Sequence, residues 1–136
     1  MIGILEDDLD GRQVRFREAL KELGPVTYHD NAPDFLCWLG ENLASLRLLS
    51  LDHDLGPSRE RNGERFDPGE GMQIVDFLVV KPPACPIIVH SSNPYASPTM
   101  VRRLQEAGWS AERIVPWGDD WIGTVWLRRV KELLGQ

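Results

Sequence analysis

Five short apolar runs, each followed by a turn and an amphipathic segment, set the strongest constraint on this chain. Met1 to Leu5, Val26 to His29, Leu46 to Leu51, Pro86 to Val89 and Arg113 to Pro116 read as strands. Between them lie segments with helical spacing. Arg12 to Leu23 places Phe16, Ala19, Leu20 and Leu23 on one face and stops at Gly24-Pro25. Asn31 followed by Pro33 starts a second helix, with Phe35, Leu36, Leu39 and Leu43 inward. Gly71 to Val80, Thr99 to Ala107 and Trp121 to Leu134 complete the set. Apolar strands separated by amphipathic helices predict a parallel sheet covered on both faces. The expected fold is therefore α/β: a flavodoxin-like (βα)5 three-layer sandwich with strand order 2-1-3-4-5. The chain, 136 residues, is expected to form a single domain over 1–136.

Gly56 to Glu70 interrupts the alternation. These fifteen residues carry one apolar side chain, Phe66, and three arginines, Arg59, Arg61 and Arg65. A strand-to-helix connection is usually a handful of residues. The segment reads as an inserted loop, either solvated or folded over a bound phosphate as a lid, with Arg59 among its phosphate-binding side chains.

Several functions are excluded. Fifteen Lys+Arg against 21 Asp+Glu give a net charge of −6, which disfavours duplex DNA. No apolar run approaches the ~20 residues of a membrane helix, and the start MIGILEDDLDG has no signal-peptide pattern. A cytoplasmic location is expected. Cys37 and Cys85 stand apart with no CxxC, which removes zinc-knuckle and dithiol redox chemistry.

In the expected fold the site lies beyond the carboxyl ends of the strands. Glu6, Asp7 and Asp8 follow the first strand, His29 and Asp30 the second, and Asp52, His53 and Asp54 the third. His90, Ser91, Ser92 and Asn93 follow the fourth, and Trp117, Gly118, Asp119 and Asp120 the fifth. Carboxylates gathered at one point repel one another unless a cation joins them, and hard oxygen donors suit Mg²⁺ or Mn²⁺. Asp7, Asp8 and Asp52 are the candidate ligands. The competing reading has Asp8 or Asp10 capping the first helix. Asp52, Asp54 and His90 are the candidate catalytic groups, with His90 either a general acid/base or a strand-end histidine bonded to backbone. Ser91, Ser92 and Asn93 could bind phosphate oxygens, or close a turn before Pro94. By strand alternation His53 points away from the two aspartates beside it.

ILEDD, LLSLDHDL and PIIVHSS together resemble the receiver domains of response regulators, over nearly the whole chain. The resemblance implies a phosphoacceptor at Asp52, a terminal hydroxyl at Ser91 and a histidine kinase as partner. It departs after the fifth strand, where receivers carry Lys-Pro and this chain has IVPWGDD. LDHDLG and HSSN resemble a divergent branch, the cyclic-phosphate processing receivers. That branch implies a metal-dependent phosphoesterase acting on a phosphorylated small molecule, a cyclic nucleotide or an RNA end. A third possibility is a non-catalytic module binding a nucleotide or protein through its Trp-rich C-terminal segment.

Overall fold

The computed structural model describes residues 1–136. Its parallel sheet has five strands: β1 (Ile2–Leu5), β2 (Val26–His29), β3 (Leu48–Leu51), β6 (Ile87–Val89) and β7 (Ala111–Arg113), in the order β2-β1-β3-β6-β7. Numbered among the parallel strands alone, this is the expected 2-1-3-4-5. The helices are α1 (Arg12–Leu20), α2 (Ala32–Asn42), α3 (Gly71–Leu78), α4 (Ala96–Glu106) and α5 (Leu127–Leu133).

Period-two alternation along the central strands divides the core into two layers. Leu5, Leu49, Leu51, Ile87 and Val89 face α2, α3 and α4 with Phe35, Leu39, Ile74, Val75 and Leu104. Ile2, Ile4, Leu48 and Ile88 face α1 and α5 with Phe16, Leu20, Trp126 and Val130. Such double-sided burial is why the central strands carry so few polar residues. The exceptions sit at one end and form the site.

Several boundaries differ from the sequence expectation. α1 ends at Leu20. α4 begins at Ala96 rather than Thr99, because Asn93 Oδ1 accepts from the N–H groups of Tyr95 and Ala96 and starts the helix early. β7 lies at Ala111–Arg113, earlier than the expected Arg113 to Pro116. The last helix opens with a π-helical turn over Ile122–Trp126, in which the Trp126 N–H bonds the Trp121 carbonyl five residues back.

The inserted segment is not irregular throughout. Arg59–Arg61 (β4) pairs antiparallel with Glu64–Phe66 (β5) around Asn62-Gly63. Both turn residues have positive φ, 55° and 80°, as a two-residue hairpin turn of the primed type requires. Arg59 bonds Asp30 at 2.8 Å, Arg61 pairs with Asp34 at 3.1 Å, and both guanidinium groups lie over the Phe66 ring. The arm is thus docked toward β2 and the start of α2.

Candidate functional site

Three ladder hydrogen bonds build the site. Glu6 N–H bonds the His29 carbonyl, Asp52 N–H the Leu5 carbonyl and His90 N–H the Leu51 carbonyl, at 2.9, 3.0 and 2.9 Å. The register aligns Leu5 with Leu51 and Leu51 with Val89, so Glu6, Asp52 and His90 form a row across three adjacent strands. Glu6 follows Ile2 and Ile4 by the same period of two, Asp52 follows Leu48 and Ser50, and His90 follows Ile88. The alternation turns all three toward α1 and α5. One ligand atom from each lies within 4.8 Å of the others, a group able to hold a metal ion.

Glu6 is fully buried. Its Oε1 faces His90 Nε2 at 3.2 Å and Arg12 Nη1 at 3.5 Å, and its Oε2 accepts the Asp8 N–H at 3.1 Å. Burial alone would raise its pKa. The His90 ring, the Asp8 N–H and Arg12 outweigh burial and bring it down to about 2. Its two neighbours go the other way. Burial, then the charges of Glu6 and Asp7, push Asp52 up to about 8. Burial, then Glu6, push Asp7 up to about 6. Arg12 is the cation at this cluster, 3.9 Å from Asp52 Oδ2, and its guanidinium lies over the Trp121 ring.

One feature fits a divalent cation: the donors are hard carboxylate oxygens crowded enough to hold back one another's ionisation, which a cation would relieve. His90 Nε2 is buried behind Glu6, 3.2 Å from its Oε1 and without an aligned hydrogen-bond partner.

The structure separates the residues proposed from sequence. Asp7 and Asp52 belong to the cluster. Asp8 does not: it is exposed, and its Oδ1 accepts the Gly11 N–H at 3.0 Å in the turn before α1, whose N-cap is Gly11 rather than Asp8 or Asp10. Glu6, rather than Asp8, is the carboxylate grouped with Asp52 and His90. Asp54 is largely exposed. Its Oδ1 bonds His53 Nδ1 at 2.8 Å, and both its oxygens lie 3.3 Å from Asn93 Nδ2. Ser91 is buried, with its Oγ accepting the Asn93 N–H, whereas Ser92 is exposed. Asn93 thus both starts α4 and steadies Asp54. Arg59, expected on a phosphate, is engaged by Asp30. His29 packs against Phe35 and Trp38, outside the cluster. His90 has no exposed surface, so it does not reach a substrate directly. Arg12 and Glu6 were missed. The signal for Arg12 was its place in the first turn of the helix that follows the acids.

A cleft of about 630 Å³ opens beside the cluster between Asp54–Ser58 and Asp67–Gln73. Gly56 in its wall has its Cβ position 3.5 Å from Asp7 Oδ2. A smaller one of about 220 Å³, between α1 and the segment after β7, is lined by Arg12, Arg15 and Trp121. The LysPro expected of a receiver after the fifth strand is absent here, and the cationic group near the acids comes from α1 instead.

Solved receiver structures share the fold. The BeF3-activated DrrB receiver domain superposes with a TM-score of 0.65 at 20% identity, covering 99% of this chain and 97% of that one. The phosphorylated cyanobacterial phytochrome response regulator RcpA gives 0.69 at 14% identity over 99% and 93%. A receiver domain of a signal transduction histidine kinase from Syntrophus aciditrophicus gives 0.64 at 22% over 98% and 89%. No curated protein matches the chain. No helix is long and apolar enough to cross a membrane. Residues 2–106 match the family described as the Cyclic-phosphate processing Receiver domain, and the chain belongs to that family.

Proposed function

We propose that this chain is a metal-dependent phosphoesterase that opens cyclic phosphates, on a nucleotide or an RNA end, working in the cytoplasm as a single domain. The observation that carries the reading is Asp54. It is an exposed carboxylate held from two sides, by His53 at 2.8 Å and Asn93 at 3.3 Å, on the wall of the larger cleft. A base that takes a proton from water must be accessible and fixed in place, and Asp54 is both. A phosphoacceptor site has no such need.

Asp7, Asp52 and Glu6 would hold the cation, Mg²⁺ or Mn²⁺. When bound, it would neutralise phosphate oxygens and lower the barrier to attack at phosphorus. The chain's own groups do the rest. Arg12 offers its guanidinium to a phosphate oxygen. Ser92 and the N–H groups after β6 orient the ester. Asp54 accepts a proton from the attacking water as its oxygen bonds phosphorus, the bond from phosphorus to one ribose oxygen breaks, and that oxygen takes a proton from solvent water, to which Asp54 returns its own. His90 acts behind Glu6, not on substrate.

The test is incubation with a 2′,3′-cyclic nucleotide or a cyclic-phosphate RNA end and Mg²⁺, with acetyl phosphate in parallel. Ring opening that EDTA stops, and that Asp54→Asn lowers by about 100-fold or more, supports the reading. One phosphoryl group gained on Asp52 without turnover would replace it with a phosphoacceptor receiver served by a histidine kinase. Neither signal would leave a binding module.

A further inference from the structure

A line of polar side chains runs through the mostly apolar layer between the sheet and α1 and α5, apart from Asp52 and from Gln13, whose amide is spent on the Glu6 carbonyl. Trp126 Nε1 donates to Ser50 Oγ at 3.0 Å, Ser50 Oγ lies 2.7 Å from His90 Nδ1, and His90 Nε2 lies 3.2 Å from Glu6 Oε1. Trp126, Ser50, His90 and Glu6 have no exposed surface. Phe16 packs against the rings of both His90 and Trp126. Polar side chains in such a place cost stability unless they are bonded.

The donors fix the direction of the line. An indole N–H only donates, so the Ser50 oxygen accepts from Trp126. The Ser50 hydrogen has His90 Nδ1 as its neighbour, which makes Nδ1 an acceptor. The ring proton of neutral His90 is then on Nε2, facing the Glu6 carboxylate. With the proton on Nδ1 instead, Ser50 would receive two donors and its own hydrogen would have no acceptor. The Nε2 lone pair would also face a carboxylate oxygen. The π-helical turn that ends at Trp126 sets the indole at the head of this line.

We propose that Trp126, Ser50 and His90 form a buried positioning chain for Glu6: the indole selects the Nε2–H form of His90, and that N–H dipole, 3.2 Å from Glu6 Oε1, orients the carboxylate electrostatically for the divalent cation. The second half rests on the reading that the acidic cluster binds a cation. Groups that orient a ligand from behind typically change metal affinity by ten-fold or more when removed.

The experiment uses the full chain labelled with ¹⁵N. Long-range ¹H–¹⁵N spectra report which ring nitrogen of His90 carries the proton, and calorimetric titration reports the Mg²⁺ Kd. The wild type should show one form, protonated on Nε2. Trp126→Phe, which keeps an aromatic ring and removes the donor, and Ser50→Ala, which breaks the line, should mix the two ring forms. Both should weaken Mg²⁺ binding about ten-fold. Should Ser50→Ala fail to fold, Trp126→Phe carries both measurements. A wild-type ring protonated on Nδ1, ring forms unchanged in the variants, or an unchanged Mg²⁺ Kd in folded variants overturns the proposal. A wild type that takes up no Mg²⁺ removes the cation-binding reading and the second half with it, while the ring spectra still decide the first.

Discussion

Asp52→Asn should stabilise the metal-free protein, although it removes a residue at the centre of the site. Asp52 is ordinarily a carboxyl of pKa 3.8, and here it is pushed up to about 8 by burial and by Glu6 and Asp7. Each pH unit between those values is worth about 1.4 kcal/mol against the ionised folded form. Asparagine keeps the shape and removes the charge, but gives up the attraction of Arg12 at 3.9 Å. The net gain at pH 8 is about 2 kcal/mol. For a chain of this size that is a rise in Tm of roughly 8 °C. The sign reverses a common expectation for aspartates. Between about pH 4 and pH 8 the unfolded chain has lost protons that Asp52 and Asp7 still hold in the folded one. Wild-type stability in EDTA therefore falls as pH rises through that window. Glu6, brought from 4.5 down to about 2, contributes stability that is lost as pH falls below about 5, so it adds no slope above that. Mg²⁺ at a hundred times its Kd should return about 2.7 kcal/mol to the wild type. It should return little to Asp52→Asn. Calorimetric melts at pH 5 and pH 8, in EDTA and in Mg²⁺, measure all of this. An Asp52→Asn protein no more stable than wild type in EDTA at pH 8, or Mg²⁺ raising both Tm values equally, would refute the reasoning.

Arg12→Ala should weaken substrate capture, raising KM by about ten-fold, and should steepen the loss of stability toward pH 8 because the acids lose their neighbouring cation. Steady-state kinetics and pH-dependent melts check the two effects. Gly71→Ala should cost about 2 kcal/mol or more in urea unfolding, since a Cβ there runs into the Asp52 carbonyl oxygen and approaches His53 Cα at 2.9 Å. Backbone cannot yield as a side-chain tip does. Gly63→Ala should loosen the hairpin by about 1 kcal/mol, because φ is 80° there, and limited proteolysis should then cut within Arg59–Phe66 faster than in wild type.

The sheet order was legible because the central strands are buried on both faces and their apolar runs are unmistakable. β7 was misplaced for the opposite reason. It is an edge strand, Glu112 and Arg113 are half-exposed, and the apolar residues Ile114 and Val115 follow it rather than form it. Apolarity marks a central strand and slides off an edge one. The hairpin carried a local signal, Asn62-Gly63, that composition concealed: a run with one apolar side chain looks like coil, yet those two residues tolerate the positive φ a tight hairpin needs. The π-helical turn gave no signal, since Ile122 to Trp126 reads as ordinary helix in sequence.

The acids of the site were legible as a group and not as individuals. The acid run ILEDD favoured Asp7 and Asp8. Strand alternation brings in Glu6. Ile2 and Ile4 face α1 and α5, so the next residue on that face is Glu6, just as Asp52 follows Ser50 and His90 follows Ile88. The same parity explains His53 but not Asp54, which leaves the sheet and bridges to Glu70. His53 turns into the opposite layer, where its ring lies 2.8 Å from Asp54 and 3.6 Å from Glu70. Asp54 lies beyond the last ladder bond and is free to stand in solvent. Parity also reveals what spacing hides about His90. A histidine after an apolar strand invites the role of an acid or base at the substrate, but on this face it enters the core behind Glu6. Its ring meets the acidic row through that carboxylate, 3.2 Å away. Period two, applied strand by strand past the last apolar residue, is thus the step that turns a list of acids and histidines at one edge into a site with an inner row and an outer one.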